Sequence, residues 1–301
     1  MKVLVTGSNG QLGNCLFDIT MKNNEDPNRY LFFNRNSLDI TKIEDIERIL
    51  HEQKPDFVVN CAAYTNVKGA ETEIEKAYAV NSDAVMNLTK VCAEIGAYLI
   101  HISTDFVFGG TKTKPYTEED AVKPLNVYGM SKLSGEKCVL EYRKGIVIRT
   151  SWLYSEYGKN FYGTMLQRIM DKKDTKVVDD QIGSPTYAMD LARVILSIID
   201  TDDVSNKCGL YHFSNRGQAS WYDFASSIEV LHNLIHRRRI CTVDNFIDRT
   251  NTKEYGDTIS RPKYSVMNTT KIEKAFGIKN RHWMSALVSC IKNDDLTTQN
   301  K

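Results

Sequence analysis

The chain has 301 residues, of which 42% are hydrophobic and 26% charged, with a formal net charge of +1. Its length suits a large domain with a smaller one, and its composition is that of an ordinary globular protein. The near-neutral charge argues against nucleic acid as a partner, and no apolar run reaches membrane-spanning length. The seven cysteines are scattered without a C-x-x-C pair, so we expect no disulfide framework or metal site and a cytoplasmic location.

Short β-branched runs alternate with helical patterns through the first half of the chain. The predicted strands are Lys2–Thr6, Tyr30–Phe33, Phe57–Asn60, Tyr98–Ser103 and Gly145–Arg149. The predicted helices are Gln11–Thr20, Lys42–Gln53, Glu75–Ile95 and Tyr128–Tyr142. Thr41 and Glu44 have the spacing of a capping box for the second helix. The alternation predicts an α/β fold with a Rossmann-type, doubly wound parallel sheet.

The rhythm of strand and helix breaks after Thr150, where aromatic and glycine-containing loops appear. A helix at Met189–Ile199 and a strand at Gly209–Phe213 are expected to return to the sheet, and a further helix is expected at Trp221–Ile235. We therefore predict a dinucleotide-binding domain in residues 1–150 and 188–213. A smaller mixed α/β substrate domain would comprise residues 151–187 and 214–301, with a fraying polar tail from Asn293.

Glycines follow the first predicted strand with the spacing G-x-x-G-x-x-G and lead into the first predicted helix. Such glycines let the backbone turn sharply and approach a pyrophosphate, while the helix N-terminus offers free N–H groups and a positive dipole end. The strand–loop–helix context favours a dinucleotide site over a simple turn. The candidate cofactor contacts in this loop are Gly7, Gly10, Gln11, Leu12 and Gly13.

The ends of the second and third predicted strands should also meet the cofactor. An acidic residue after the second strand would favour NAD, whereas this chain has Arg35, which can pair with a 2′-phosphate. The sequence therefore favours NADPH, with NADH as the alternative. Asp39 and Ile40 are expected to border the adenine. The turn after the third strand should lie along the cofactor through Ala62, Ala63, Tyr64 and Thr65.

Tyr128 and Lys132 form a Tyr-x-x-x-Lys pair at the start of a predicted helix. Spacing of i,i+4 puts both on one helix face, where the ammonium is expected to stabilise the phenolate and make the tyrosine a usable acid. Thr104 ends the fourth predicted strand, where its hydroxyl could polarise a carbonyl group. This set predicts reduction of a ketone, with Thr104, Tyr128 and Lys132 catalytic and the last two also touching the cofactor. His101 is interpreted as a core residue.

In these motifs the sequence resembles the extended short-chain dehydrogenases and, within them, the dTDP-4-dehydrorhamnose reductases. The resembling segments are Gly7–Gly13, Val59–Thr65, Ser103–Phe108, Pro124–Gly129, Arg149–Trp152, Asp180–Thr186 and Arg261–Pro262. The resemblance implies reduction of the C4 ketone of dTDP-6-deoxy-L-lyxo-4-hexulose to dTDP-L-rhamnose. The substrate contacts that it implies are Thr104, Asp105, Trp152, Asn160 and Arg261. The resemblance also implies a homodimer, which is linked by magnesium in some relatives. No motif in this sequence indicates either the dimer or the metal.

Two departures from the family pattern bear on the substrate. Cys15 stands where the family often has glutamate, and Lys68-Gly69 replaces an Asp-Lys pair; both are expected near the cleft. Two alternatives stay open. One is another sugar-nucleotide reductase, epimerase or dehydratase, although Phe106 stands where a dehydratase usually has its acid. The other is a non-catalytic NADP-binding subunit, similar to the regulatory subunit of methionine adenosyltransferase. Trp221 and Trp283 are interpreted as core residues, whereas Trp152 is placed in the pocket.

Overall fold

Six strands form one parallel sheet in the computed structural model, which describes residues 1–22, 26, 28–236 and 246–299. Their order is β10-β5-β4-β3-β1-β2, and every pairing in this sheet is parallel. The strands of the described chain are β1 (Val3–Thr6), β2 (Tyr30–Phe33), β3 (Phe57–Asn60), β4 (Tyr98–Thr104), β5 (Gly145–Thr150), β6 (Leu153–Tyr154), β7 (Thr175–Val178), β8 (Ile182–Gly183), β9 (Thr186–Tyr187), β10 (Gly209–His212), β11 (Ala219–Ser220) and β12 (Ile247–Thr250).

Helices connect and cover these strands. They are α1 (Gln11–Lys22), α2 (Ile43–Gln53), α3 (Val67–Ala70), α4 (Ile74–Tyr78), α5 (Ala84–Ile95), α6 (Val127–Leu140), α7 (Phe161–Met170), α8 (Ala188–Ile199), α9 (Trp221–Ile235), α10 (Thr252–Tyr255), α11 (Thr270–Phe276) and α12 (Trp283–Gln299). A π-helical turn covers Ala79–Asp83, and 3₁₀ turns cover Asp105–Val107 and Val204–Lys207. None of the helices in the described ranges combines the length and apolarity that a bilayer crossing requires.

Both faces of the six-stranded sheet are covered because alternate residues of a buried strand point to opposite sides. On β1, Val3 and Val5 join the hydrophobic cluster that includes α1 and α8, whereas Leu4 joins the cluster that includes α2 and α5. This arrangement confirms the predicted doubly wound α/β fold. The chain leaves β1 towards β2 on one side and continues with β3 on the other, so a crevice opens at the carboxyl ends of β1 and β3.

The second half of the chain adds three small strand pairs, β6–β9, β7–β12 and β8–β11, together with α7, α9 and α12. The predicted returns are confirmed, since β10 pairs with β5 and α8 packs on α1. Buried residues of the second half, such as Phe224 and Trp283, belong to the same hydrophobic cluster as Leu16 of α1. One continuous core therefore holds the added layer against the large sheet.

Two local predictions were wrong, and one predicted helix is continuous but irregular. The helix predicted over Glu75–Ile95 contains the π turn, where Asn81 turns its side chain to the backbone of Tyr64. The capping box at Thr41 does not form, because α2 begins at Ile43 and the Thr41 hydroxyl donates to Oδ1 of Asp39 instead, at 2.7 Å. The tail does not fray at Asn293.

Instead of fraying, α12 continues to Gln299. Nδ2 of Asn293 donates to the Tyr187 hydroxyl at 2.9 Å, and the Tyr162 hydroxyl donates to Asp294 at 3.0 Å. Tyr162 and Tyr187 are both fully buried, so these bonds fix the helix to the core. The polar composition of this tail predicted fraying, because the sequence does not show that these side chains form hydrogen bonds with residues of distant elements.

Candidate active site

Two adjoining cavities open at the carboxyl edge of the sheet. The first cavity, of about 480 Å³, lies among the loops that follow β1, β2 and β3. The second cavity, of about 550 Å³, extends from the loop after β1 past β4 and α6 to the second half of the chain. Asn9, Gly10, Cys61 and Ala63 line both, so the two form one groove along the topological switch point.

The glycine loop after β1 forms a tight cradle at the middle of this groove. Gly7 has φ +65°, and a Cβ there would lie 2.6 Å from the backbone nitrogen of Ala62. Gly10 closes the turn by donating to the carbonyl oxygen of Gly7 at 2.9 Å. Gln11 then begins α1, whose first N–H groups lack intrahelical acceptors. The cradle leaves room and donors for a pyrophosphate, so it fits a dinucleotide.

The predicted cradle residues form two groups: four of them line a cavity, and one packs against the loop. Gly7 and Gly10 line the first cavity, and Gly10, Gln11 and Leu12 line the second. Gly13 lines neither and instead contacts Ser8 so closely that a Cβ would come within 2.5 Å. Its function is therefore to let α1 pack against the loop rather than to touch a ligand.

Arg35, Asp39 and Ile40 line the far end of the first cavity. The Arg35 side chain is 74% exposed, and its Nε lies 3.6 Å from Oδ2 of Asp39. Burial opposes ionisation of Asp39, but hydrogen bonds from Thr41 and the charge of Arg35 hold its pKa below the usual value. The guanidinium therefore has an acidic neighbour four residues along the chain, which the sequence interpretation did not pair with it.

The turn after β3 lies along the groove as predicted. Ala62, Ala63 and Tyr64 line the first cavity and Thr65 the second. Asn81 of the π turn fixes this backbone, since its Oδ1 accepts from Tyr64 N at 2.9 Å and its Nδ2 donates to Tyr64 O at 3.0 Å. Asn81 was not predicted, because its effect depends on a contact across 17 residues.

Thr104, Tyr128 and Lys132 all line the second cavity. Helix α6 begins at Val127 because the Asn126 side chain accepts from Gly129 N at 2.9 Å, while its Nδ2 donates to the Ser260 carbonyl at 2.9 Å. This start places Tyr128 and Lys132 one turn apart beside the end of β4. Thr104 lies close enough to Tyr128 to favour the phenolate.

The electrostatics of Tyr128 differ from the expectation. Burial raises its pKa to about 12, the neighbouring Thr104 side chain opposes this shift, and the charge of Asp105 adds to it. Lys132 does not offset the effect of burial on the pKa of Tyr128, because its Nζ is engaged elsewhere. Nζ donates to the Ile102 carbonyl at 2.6 Å and contacts His101 Nε2 at 3.2 Å. Tyr128 is therefore held protonated, the state from which a proton can be given to a carbonyl oxygen.

Lys132 is only 2% exposed, and burial lowers its pKa to about 8 although Glu136 opposes this effect. Glu136 is fully buried and pairs with Arg149 through two bonds, of 2.7 and 2.9 Å. Its Oε1 also accepts from the Ser103 hydroxyl. The sequence interpretation missed this ion pair, because nothing in either local motif links Glu136 of α6 to Arg149 of β5.

Two polar atoms of the second cavity are left for a ligand. Oδ1 of Asp105 accepts from the Thr104 hydroxyl at 3.2 Å, but Oδ2 is buried with no hydrogen-bond partner among the described residues. The Thr150 hydroxyl, of a residue that lines the same cavity, is also buried with no partner in the described part of the chain. Burial raises the pKa of Asp105 to about 6, although the hydrogen bond from the Thr104 hydroxyl opposes this shift. Such orphaned groups fit a ligand with hydroxyl groups.

Trp152 and Trp221 form an aromatic wall of the second cavity. Their rings stack with centroids 3.6 Å apart and planes inclined by 7°. Trp152 was predicted to lie there. Trp221 was interpreted as core, which is wrong because its ring stacks on Trp152 at the cavity and is only partly buried. The two are 69 residues apart in the chain, so no local pattern joins them.

The remaining candidates differ in what their side chains can offer. Asn160 caps α7, since its Oδ1 accepts from Gly163 N and its Nδ2 donates to Ser155 O and Tyr157 O. Its amide is therefore already committed, although it lines the second cavity. Arg261 lines that cavity too and donates through Nε to Asp257 at 2.8 Å. The exposed Lys159, which was not predicted, joins them.

Neither departure from the family pattern lines the groove, but the two differ in their distance from it. Cys15 is fully buried in the core and lines neither cavity, because one turn beyond Gln11 it points from α1 into the hydrophobic cluster. Val67 lines the second cavity, but Lys68 and Gly69 line neither. The expectation of a position near the cleft was therefore wrong for Cys15, whereas Lys68 and Gly69 adjoin the groove, since Gly69 lies against Tyr64.

Comparison with known proteins agrees with this geometry. The family model described as the RmlD substrate binding domain matches residues 1–296. The dTDP-4-dehydrorhamnose reductase of Aggregatibacter actinomycetemcomitans is 38% identical over 95% of this chain and 97% of that protein. A crystal structure of a dTDP-4-dehydrorhamnose reductase from Clostridium acetobutylicum is 36% identical, with a TM-score of 0.88 over 99% of this chain and 100% of that one.

The Bacillus anthracis enzyme of the same name, solved in complex with NADP, is 35% identical, with a TM-score of 0.87 over 97% of this chain and 100% of that chain. These matches span the sheet, the cradle and the second cavity together rather than the dinucleotide-binding half alone. The chain belongs to the RmlD substrate binding domain family.

Proposed function

We propose that this chain uses reduced nicotinamide dinucleotide to convert dTDP-6-deoxy-L-lyxo-4-hexulose into dTDP-L-rhamnose by reducing the C4 ketone. The observation that carries the proposal is that Thr104, Tyr128 and Lys132 line a cavity that continues into the glycine cradle. A dinucleotide lying in the groove would bring its reactive end beside these three side chains. Relatives that carry the reductase name match nearly the whole chain.

The side chains of the second cavity can supply what ketone reduction needs besides a hydride, which the reduced nicotinamide provides when bound. Tyr128 gives its phenolic proton to the C4 oxygen as the new C–H bond forms, so that the ketone becomes an alcohol. Its raised pKa keeps that proton available at neutral pH. The Thr104 hydroxyl, which donates to Oδ1 of Asp105 in the structure, turns to donate to the same oxygen and stabilises the developing charge.

We infer that NADPH binds more tightly than NADH. The first cavity offers apolar lining for an adenine through Leu38, Ile40 and Val80, with Arg35 at its edge. The exposed guanidinium can turn from Asp39 to a 2′-phosphate, whose two charges attract it more strongly than one carboxylate. Repulsion between Asp39 and that phosphate moderates the preference, so NADH remains a usable cofactor.

The keto-sugar is proposed to lie between the large sheet and the elements of residues 151–187 and 214–301. The stacked indoles of Trp152 and Trp221 suit the apolar face of a deoxysugar. Asp105 can accept a hydrogen bond from a sugar hydroxyl through its unpartnered Oδ2. Arg261 and Lys159 supply positive charge for the diphosphate, and Asn160 contributes through its position in the wall.

The alternatives are less well supported. Elimination of water would need an acid beside Asp105, where the chain has Phe106, whose ring packs edge-on against Tyr128. A purely NADP-binding subunit would have no need for a protonated tyrosine beside a threonine hydroxyl in a ligand-sized cavity. Reduction of a different sugar-nucleotide ketone uses the same groups and is the closest competitor.

The proposal is tested by incubating the protein with NADPH and dTDP-6-deoxy-L-lyxo-4-hexulose while following the absorbance of the reduced cofactor. The product is then identified by NMR, with Tyr128→Phe as the control. Cofactor consumption with formation of dTDP-L-rhamnose is the expected result. A product of different C4 configuration would point to another reductase. Tight NADPH binding without consumption would point to the binding subunit.

A further inference from the structure

A chain of buried hydrogen bonds runs from the first strand to the catalytic lysine across three neighbouring strands. Thr6 of β1 bonds Asn60 of β3, Asn60 contacts His101 of β4, and His101 contacts Lys132 of α6. Each of these four side chains is at most 2% exposed. The sequence analysis assigned no chemical function to Asn60 or His101, and the proposed proton donation uses neither.

The orientation of the Asn60 amide is fixed by its neighbours. Its Oδ1 accepts from the backbone N–H of Ala62 at 3.2 Å and from the Thr6 hydroxyl at 2.7 Å. A flipped amide would turn its NH₂ group towards the Ala62 N–H, so two donors would face each other. Nδ2 therefore points at Nδ1 of His101, 3.1 Å away, and donates to it.

This contact fixes the tautomer of His101. Burial, helped by the charge of Lys132, holds the pKa of His101 well below its usual value, so the ring is neutral. A neutral imidazole has one N–H and one lone pair. Because the lone pair of Nδ1 accepts from Asn60, the hydrogen is on Nε2, which lies 3.2 Å from Nζ of Lys132.

An N–H group that faces Nζ favours one protonation state of Lys132. An ammonium group has no lone pair and cannot accept from Nε2, whereas an amine can. Two donors, Asn60 Nδ2 and the Lys132 ammonium, thus compete for the single lone pair of the ring. The conflict disappears when Lys132 gives up one proton, because Nζ then accepts from Nε2–H and still donates to the Ile102 carbonyl, 2.6 Å away.

We propose that His101, held by Asn60 in the Nε2–H tautomer, is a positioning residue that prepares Lys132 to return a proton to Tyr128 after each reduction. The inference rests on the proposed ketone reduction, which leaves Tyr128 as a phenolate. In the return step an N–H bond of Lys132 breaks, its electron pair stays on Nζ, and an O–H bond forms on Tyr128. Lys132 then takes a proton from water in the open groove.

Other charged or titratable groups near Lys132 act on the same balance. On its own helix, Glu136 favours the ammonium, but Arg149 of β5 neutralises most of that charge through the buried ion pair. Tyr128 precedes Lys132 by one turn and lines the same cavity, and Asp105, which follows β4, also lines it. His101 is the group whose N–H faces Nζ directly, so it decides which form of Lys132 has a satisfied hydrogen bond.

The tautomer can be measured without substrate, cofactor or a variant that must stay active. In protein with ¹⁵N-labelled histidine, long-range proton–nitrogen correlation spectra distinguish Nε2–H from Nδ1–H rings, and a His101→Gln spectrum assigns the signal. We expect a neutral Nε2–H ring for His101 from pH 6 upwards. A neutral Nδ1–H ring, or a ring that gains a second proton in this range, would overturn the proposal. Because no turnover is involved, this result is independent of the proposed reaction.

A second experiment tests the coupling to Lys132 through the alkaline limb of the pH profile of kcat. In Asn60→Asp the carboxylate still accepts from Ala62 and Thr6, but it draws the ring hydrogen to Nδ1, so Nε2 accepts from the Lys132 ammonium. The limb should move upwards by about one pH unit. In the double variant Asn60→Asp/His101→Phe the chain of hydrogen bonds to Lys132 is interrupted. Less than half of that pH shift should then remain.

The single variant His101→Phe provides the reference for the double variant, and thermal unfolding of all three shows whether they fold. An equal shift in the single Asn60→Asp and the double variant would mean that the added charge acts through space, and the proposal would be wrong. The same conclusion follows if Asn60→Asp folds and leaves the limb where it is in the unsubstituted protein.

Discussion

Replacing Asp105 by asparagine should make the protein more stable at neutral pH and a poorer enzyme. Asp105 is 2% exposed, and one of its two carboxylate oxygens has no partner among the described residues. Burial raises its pKa from 3.8 to about 6, even though the Thr104 hydroxyl donates to it. Asparagine has nearly the same shape and carries no charge, so it removes the cost of the buried ion.

The size and the pH range of the effect follow from the two pKa values of Asp105. A shift from 3.8 to about 6 corresponds to about 3 kcal/mol at roughly 1.4 kcal/mol per unit. The folded protein keeps this proton up to about pH 6, whereas the unfolded chain releases it near 3.8. The stability of the unsubstituted protein therefore falls as the pH rises through this window and stays at the lower level above it.

Asp105→Asn does not titrate, so its advantage should grow by about 2–3 kcal/mol between pH 4 and pH 7. Urea unfolding at several pH values measures the difference, with the exposed Asp202→Asn as a control for the change of side chain. In the same variant, loss of a charged acceptor should lower kcat/KM for the keto-sugar about 10–100-fold, with NADPH binding unchanged. An advantage of the same size at pH 4 and pH 7, or none at either, would refute the reasoning.

Three further predictions concern the groove. Tyr128→Phe keeps the ring but removes the donor, so turnover should fall about 10²–10⁴-fold while NADPH still binds in a fluorescence titration; near-normal turnover would exclude Tyr128 as the acid. Arg35→Ala should weaken NADPH binding by about 1.5–3 kcal/mol and NADH binding little, and equal losses in calorimetry would show that Arg35 does not read the 2′-phosphate. Trp152→Ala should raise KM for the keto-sugar far more than KM for NADPH. A large drop in Tm with an unchanged sugar KM would instead make Trp152 a core residue.

The parts of the fold that the sequence predicted are those in which neighbours along the chain are also neighbours in space. The glycine loop, the turn at Ala62–Thr65 and the Tyr128–Lys132 pair each lie within a few residues, and each occupies the groove. Because the carboxyl ends of parallel strands meet at one edge, predicting the strands was enough to bring these segments together.

The parts that the sequence did not predict depend on contacts between distant segments. His101 appeared to be an ordinary core residue, and only the structure shows that its Nε2 faces Lys132 across 31 residues. The π turn could not be predicted without the hydrogen bond between Asn81 and the backbone of Tyr64. The continuation of α12 past Asn293 could not be predicted without its hydrogen bonds to Tyr162 and Tyr187. The spacing of hydrophobic residues indicates which face of a helix or strand is buried, but it does not indicate which polar side chain of another element that face contacts.

The backbone of Trp152 shows how far such distant contacts shape the second cavity. Trp152 has φ +48°, a left-handed conformation that is unfavourable for a bulky side chain by about 1–3 kcal/mol. Two contacts hold the indole there. It stacks on Trp221, and it lies so near Gly183 that a Cβ on Gly183 would be 2.5 Å from Cε2 of Trp152. Another rotamer of the indole would not relieve this strain, since the strain lies in the backbone angle φ. Because Trp152 keeps this conformation where its indole forms a wall of the second cavity, the contacts with Trp221 and Gly183 fix the position of that wall.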